Sequence, residues 1–414
     1  MTLDLLLVTA YFPPDNGSAS HLFAELGTAL AGRGHRVTVL TGFPGYYADE
    51  GGERYRGRLR VCERTDGITV IRTATPRLPQ NIPLLRAVWQ FSEAAALLSA
   101  GVTAPKASAA LVYSPPLPLG LTGWALHRLR GVPFVLNVQD LFPQSVIDLG
   151  LLTGRRAIRL AEGMERFVYR RAAHLTVHSE GNRDHVIGKG VPPTRVTVIP
   201  NWVDTDAIRP GSRINDLRAG LGLRPEHFVV SFAGVIGYSQ DLDTVLDCAQ
   251  RLRAERDVVF LIVGDGVEKA RLEEKARALR LDNARFLPMQ PKARYPLVLD
   301  ASDVCLATLH ASVRTPVVPS KILSIMAAAR PVLAALHRDG DAARLIEESG
   351  AGLCVPPGDA EALAAAVLKF RADRQWAEAL GRQARRFAVA ELSLSRAVDR
   401  YEGLLRGVAN TPGR

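Results

Sequence analysis

Three kinds of residue in this chain could do chemistry: a carboxylate at a strand end, small residues placed ahead of helices, and polar side chains beside them. Asp140 lies in Asn137-Val138-Gln139-Asp140-Leu141-Phe142-Pro143-Gln144-Ser145, just past the apolar run Phe134 to Val138. Open α/β sheets place ligands at the carboxyl ends of their strands, where a carboxylate can orient or deprotonate a hydroxyl. An Asp that only caps the turn after its strand reads from the same residues. Two loops, Pro13 to Ser20 and Gly234-Val235-Ile236-Gly237, put glycine and small residues just before a helix. Unpaired N–H groups and the helix dipole favour a phosphate there. Gly17 and Ser18 would meet it in the first loop and Gly234 and Gly237 in the second, where Gln240 adds a neutral hydrogen bond. Neither loop is GxGxxG, and the first also reads as a tight turn with Ser20 as N-cap.

These residues need a βα framework to hold them, and the sequence supplies one twice. Leu3 to Ala10 reads as a strand, His21 to Ala31 as a helix and Arg36 to Leu40 as a second strand. Further strands are expected at Ile68 to Arg72, Ala109 to Tyr113, Phe134 to Val138 and Leu175 to His178, with helices between them, which predicts a doubly wound sheet. The pattern restarts at Phe228 to Ala233, with a helix from Leu242 to Arg253, a strand at Val258 to Val263 ending in Gly264-Asp265-Gly266, and a strand over Ala301 to Ala307. Between the halves, a β-branched run is stopped by Pro200, which cannot donate to a sheet ladder, and Asn201 follows as a bend-tolerant residue. The helix expected over Leu84 to Ala100 carries more apolar surface than packing on one side requires. It reads as core, or as a stripe resting on a bilayer with Arg86 beside it.

Composition narrows the classes. At 47% hydrophobic and 23% charged over 414 residues, the chain is long enough for two globular domains. Its start lacks a basic n-region, and the first apolar run ends at Pro13-Pro14, short of a signal peptide or membrane span. Cys62, Cys248, Cys305 and Cys354 are scattered without CxxC spacing, which predicts buried thiols in a reducing cytoplasm rather than a zinc site or disulfide framework. The net charge of +10 includes the basic run Arg54 to Arg60 and the set Arg155, Arg159, Arg166 and Arg170. Such charges form a solvated face or meet anionic lipid. No motif for nucleic acid accompanies them. The DxD strings Asp204-Thr205-Asp206 and Asp241-Leu242-Asp243 sit at the inter-half segment and at a helix start, where capping explains them better than a cation.

The segment Val198-Ile199-Pro200-Asn201-Trp202-Val203-Asp204 resembles the interdomain segment of family 4 glycosyltransferases of the GT-B type, in particular bacterial polysaccharide transferases. The likeness covers nearly the whole chain. Tyr11-Phe12-Pro13-Pro14 with Gly17, the run Arg33 to Val39, Asp140 to Ser145, His178 to Asn182 and the loop Phe286-Leu287-Pro288-Met289-Gln290 all match that family. The chain departs from it where two glutamates usually stand eight positions apart: here are Pro316 and Ser324, and neither supplies a carboxylate. Pro319-Ser320-Lys321 fits the version found among polysaccharide transferases.

The resemblance implies an α/β, GT-B fold of two facing Rossmann-like doubly wound domains with an interdomain cleft. It implies an acceptor-binding domain at 1–204, a nucleotide-sugar domain at 205–390, and a terminal helix at 391–414 crossing back and ending in a frayed tail from Gly407. It implies retaining transfer of a sugar from a nucleotide-sugar donor to a glycan or polyprenyl-diphosphate-linked acceptor, in the assembly of capsule, exopolysaccharide or O-antigen. Lys321 and Arg314 would oppose the departing diphosphate, and Asp140 would position the acceptor. Gly17, Ser18, Gly234, Gly237, Gln240, Gly264, Met289, Gln290, Ser320 and Ser324 would line the donor. No cofactor, metal or nucleic acid is expected, and the place of work is the cytoplasm, with peripheral contact to the inner membrane. A nucleotide-sugar epimerase, a non-catalytic scaffold derived from a transferase and, last because neither half has GxGxxG with a spaced ribose carboxylate, a nicotinamide dehydrogenase are the other readings.

Overall fold

The computed structural model describes residues 2–15, 17–44, 55–76, 78, 82–148, 150–314 and 316–410. Asn16 of the first glycine loop, Arg54 of the basic run and residues 411–414 of the expected tail lie outside them. Contacts divide the chain into two compact units, Met1–Asn201 with Leu394–Arg414, and Trp202–Ser393.

The first unit is an eight-stranded sheet ordered β3-β4-β2-β1-β5-β6-β7-β8. Its strands are β1 Asp4–Val8, β2 Arg36–Gly42, β3 Arg60–Thr65, β4 Ile68–Thr73, β5 Ala109–Ser114, β6 Phe134–Val138, β7 His174–Val177 and β8 Val196–Val198. All ladders are parallel except β3 with β4. The central strands are unbroken apolar runs because helices cover both sheet faces. Strand β5 is buried along its whole length, and Leu6, Val8, Val112, Phe134 and Leu136 anchor the core.

The antiparallel edge strand β3 was not foreseen, because its alternation carries Arg60, Cys62 and Arg64 on an exposed side. Charges of this kind keep an edge from pairing further. The first helix runs Ser18–Gly32 with Gly17 as its cap residue and no side-chain cap bond. The expected cap, Ser20, lies inside it, fully buried, with an unpartnered hydroxyl. The last helix, Leu394–Asn410, continues through the Gly407 region expected to fray. Buried Val398, Tyr401 and Leu405 pin it to the first unit, where Asn137 Nδ2 donates to the Tyr401 hydroxyl at 2.8 Å.

The second unit is a six-stranded parallel sheet ordered β11-β10-β9-β12-β13-β14. Its strands are β9 Phe228–Ala233, β10 Val258–Val263, β11 Ala284–Leu287, β12 Val304–Thr308, β13 Val332–Ala335 and β14 Gly352–Val355. Phe228, Val230, Phe260 and Ile262 are buried among Val245, Leu246 and Val367 of the covering helices. Strand order reverses at β9, whose neighbours are β10 on one side and β12 on the other. Adjacent loops leave a sheet in opposite directions at such a point, which opens a crevice at its carboxyl edge.

Candidate active site

The reversal in the second unit gathers residues far apart in sequence. The turn after β9 begins at Gly234, and the turn after β10 at Gly264. Backbone bonds lace the two together: Gly234 N–H donates to Val263 O at 2.9 Å and Ile236 N–H to Asp265 O at 2.8 Å. They lie so close that a Cβ on Gly264 would stand 1.9 Å from the Gly234 carbonyl oxygen. Gly264 is therefore what lets the two loops touch. Gln240 follows on the one-turn helix Tyr238–Gln240, and its carbonyl accepts the Thr308 hydroxyl from the end of β12.

Lys321 completes the group from the first turn of the helix Ser320–Ala327, which no side chain caps. Its half-buried ammonium donates to Gln240 Oε1 at 2.5 Å, lies 3.7 Å from the centre of the Phe232 ring, and would be 3.4 Å from a Cβ on Gly234. No carboxylate among the described residues pairs with it. Burial disfavours its charged form and brings its pKa down to about 7. A cation without a counter-ion among the described residues, at an open helix N-terminus and beside the Gly234 turn, is arranged to take a phosphate.

The other expected donor residues occupy different places. Ser320 is exposed at the head of the same helix, whereas Ser324 is hydrogen-bonded to the phenol of Tyr295. Gln290 Nε2 turns back to Pro288 O at 3.0 Å and Met289 is 46% exposed, both in the loop after β11. Arg314 is exposed, with no bond to Lys321 or Gln240, and lines a separate cavity. Gly237 lies between the glycine turn and Gln240. Phe232 and Thr308 were not foreseen as partners: their types are ordinary for strands, and only the fold brings them to Lys321 and Gln240.

In the first unit Asp140 stands at the carboxyl edge, two residues beyond β6. Its carboxylate accepts the Ser145 hydroxyl at 3.1 Å and the Leu141 N–H. The crowding of surrounding chain raises its pKa, while Ser145, Leu141, His178 and Arg86 oppose the rise. The side chain remains open to solvent, so the upward push is screened. Asp140 thus makes the turn-capping contacts and also keeps an accessible carboxylate. Neighbouring Gln139 accepts from Asn201 Nδ2 at 2.8 Å, and His178 Nε2 lies 3.2 Å from the Gln139 carbonyl. Gly17 leaves the head of its helix without a side-chain cap, and the Ser18 side chain lies outside the description.

Neither DxD string presents a free pair of carboxylates. Asp204 Oδ1 accepts from the backbone N–H groups of Asp206 and Ala207, while Asp243 is paired with Lys275 at 2.9 Å and with Arg271. Among the described residues no cluster of three or more His, Cys, Asp or Glu could hold a metal ion. Cys305 is buried, with its thiol pushed up by burial, which fits packing rather than reactivity, whereas Cys62 on the edge strand β3 is exposed, against the expectation of buried thiols.

Two doubly wound units, one with Lys321, Gln240 and two glycine turns gathered at its reversal point and the other with a carboxylate at its sheet edge, are the architecture of GT-B glycosyltransferases. Comparison with known proteins agrees. Residues 17–202 match the model of the glycosyl transferase 4-like domain and residues 227–373 that of the glycosyl transferases group 1. The chain is 27% identical over 373 residues to the putative colanic acid biosynthesis glycosyl transferase WcaI of Escherichia coli, covering 88% of this chain and 91% of that protein. It is 30% identical over 297 residues to the probable glycosyltransferase WbjE of Pseudomonas aeruginosa, covering 70% and 72%. Among solved structures, Anabaena Alr3699/HepE in complex with UDP shares the fold at TM-score 0.73 and 18% identity, covering 98% of this chain and 100% of that one. The chain belongs to the GT-B glycosyltransferases, with a 4-like first half and a group 1 second half, and it is a glycosyltransferase.

Proposed function

We propose that this enzyme moves a sugar, with retention, from a nucleotide-sugar to a hydroxyl of a lipid-linked glycan during assembly of a bacterial surface polysaccharide. The observation that carries this reading is Lys321, an ammonium held by Gln240 beside the Gly234 turn with no counter-ion among the described residues. A nucleoside diphosphate supplies the missing negative charge. As the bond between the anomeric carbon and the β-phosphate oxygen breaks, Lys321 and the open helix head oppose the charge that develops. That local cation supports metal-independent departure. Asp140 then orients the acceptor hydroxyl and draws on its proton. The polysaccharide role is supported by the relatives' names, and one further relative, the galactosyltransferase of Escherichia coli acting on GlcNAc-diphosphoundecaprenol, is named for a lipid-linked acceptor.

A lipid-linked acceptor calls for a membrane surface, and no helix among the described residues is long and apolar enough to cross one. On this reading the first unit docks on that surface instead. Helices Pro83–Thr103, Leu119–Arg130 and Arg155–Arg171 carry one, two and six arginines, against three glutamates of which Glu93 and Glu165 are buried. Leu84, Leu129 and Leu160 protrude from them at 73%, 66% and 77% exposure. Basic charge interleaved with exposed leucine suits an anionic lipid surface.

The reading is tested by mass spectrometry of products from UDP-, GDP-, dTDP- and ADP-sugars, with and without polyprenyl-diphosphate-linked acceptors, in EDTA and with Mg²⁺. An acceptor-dependent mass gain in EDTA supports it. Acceptor-free isomerisation would instead mark an epimerase, and absence of binding and turnover a scaffold.

A further inference from the structure

Asp140 is exposed, and its carboxylate bonds only to near neighbours, the Ser145 hydroxyl and the Leu141 N–H. Ties to distant segments enter through the residue before it. Gln139 leaves the carboxyl end of β6, and its polar groups meet three other segments. Its N–H donates to Ser114 O at the end of β5 at 2.8 Å, its carbonyl lies 3.2 Å from His178 Nε2 just past β7, and its side-chain Oε1 accepts from Asn201 Nδ2 at 2.8 Å.

The Asn201 tie is the one that the sheet alone would not provide. Ser114 and His178 belong to the strands that flank β6, but Asn201 follows β8, which pairs with β7 and not with β6. Two strand spacings, about 10 Å, separate β8 from β6, and the two amides bridge them across the end of β7. Ile199 N–H still donates to Val177 O at 2.8 Å; Pro200 then has no N–H to give, so the ladder stops and Asn201 is the first residue free to turn over the strand end. Stability does not explain the arrangement. Asn201 Oδ1 is buried with no hydrogen-bond partner among the described residues, and a stranded acceptor offsets what the single bond contributes. Asn201 is also the last residue of the first unit before the chain passes to the second.

We propose that Asn201 and Gln139 are positioning residues of the transfer: their bond fixes Gln139, and through it the peptide that carries Asp140, so that the carboxylate stands where it meets the acceptor hydroxyl. The assignment rests on Asp140 orienting that hydroxyl. It gives the segment between the two halves a part in the chemistry besides joining them, exerted through Gln139 rather than by touching a substrate. Breaking the bond leaves donor binding alone, because Lys321 and Gln240 belong to the second unit.

The test is steady-state turnover by the full chain, with the nucleotide-sugar and polyprenyl-diphosphate-linked acceptor that give product in the panel above. Asn201→Ala and Gln139→Leu should each lower kcat by about tenfold or more, as a small misplacement of a reacting group does, with KM for the donor within about twofold of wild type and melting unchanged. Gln139→Glu, which keeps the accepting oxygen, should recover most of the turnover that Gln139→Leu loses. In an Asp140→Asn background, Asn201→Ala should slow the enzyme no further, because the carboxylate it positions is gone. Hydrogen–deuterium exchange without substrate gives a second readout: residues 139–145 should exchange faster in Asn201→Ala than in wild type, and the rest of the first unit should not. Wild-type kcat in both bond-breaking variants, losses that simply add in the double variant, or unchanged exchange at 139–145 overturns the assignment. Asp140→Asn turning over at the wild-type rate would instead sink the acceptor role of Asp140 on which it rests, a distinguishable failure.

Discussion

A partly buried ammonium with no carboxylate beside it destabilises a protein until an anion arrives. Lys321 is such a group, and the sign of its effect follows from linkage. Its folded pKa of about 7 lies below the ordinary 10.5, so between those values the unfolded chain holds the proton and the folded chain gives it up. Stability therefore rises as pH climbs through that window, and the cost is fully present below about 7. Lys321→Met, which keeps the bulk and removes the charge, should melt higher than wild type at pH 6.5, with the gap shrinking toward pH 9.5 and beyond. Differential scanning fluorimetry across that range checks it, and a gap that is constant or grows with pH would show that Lys321 carries no burial cost. The residue types at this site were visible in the sequence and their environment was not. Lys321 announced itself as a cation at a helix start, whereas its bond to Gln240 spans 81 positions.

Among the elements, those set by local pattern were legible: β1, β9 and β10 are apolar runs ended by turn residues, and the glycine turns at Gly234 and Gly264 follow from small residues after such runs. What failed depended on packing. Ser20 reads as a cap, but the helix begins at Ser18 and buries it. The mutual contact of the two glycine turns was also invisible, and it carries a prediction. Gly264→Ala would drive a methyl group into the Gly234 carbonyl, so the turns must separate. Nucleoside diphosphate binding should fall by tenfold or more, with a lower melting temperature, as overpacking of about 1–3 kcal/mol implies. Unchanged affinity by calorimetry would remove that contact from the site. The arginine-bearing helices give a second test: the protein should float with vesicles containing phosphatidylglycerol, less so in high salt, and Arg155→Glu with Arg159→Glu should release it while leaving melting unchanged. Equal flotation of that variant would move the docking face elsewhere.

For the whole molecule, the chain builds its first unit from both ends. The fold class and the repetition of βα units were legible because hydrophobic periodicity is local. The length of the terminal helix was not, because its last turns are held by the burial of Leu405 and Val408, and its middle by tertiary partners. Arg33 reaches Asp399 at 2.7 Å and Glu402 at 2.8 Å, and Tyr401 is buried against Asn137. Tyr401→Ala should cost about 3–5 kcal/mol, as for other large aromatic truncations, and lower the denaturant midpoint. A loss below about 1 kcal/mol would mean that the helix adds little to the first unit.

The central claim, that Lys321 opposes the charge of the departing diphosphate, is tested most directly by the turnover of Lys321→Ala at saturating donor and acceptor. A fall in kcat of about 10²- to 10³-fold with an intact fold is predicted, the range for removing one group that stabilises developing negative charge. Wild-type turnover in that variant would contradict it.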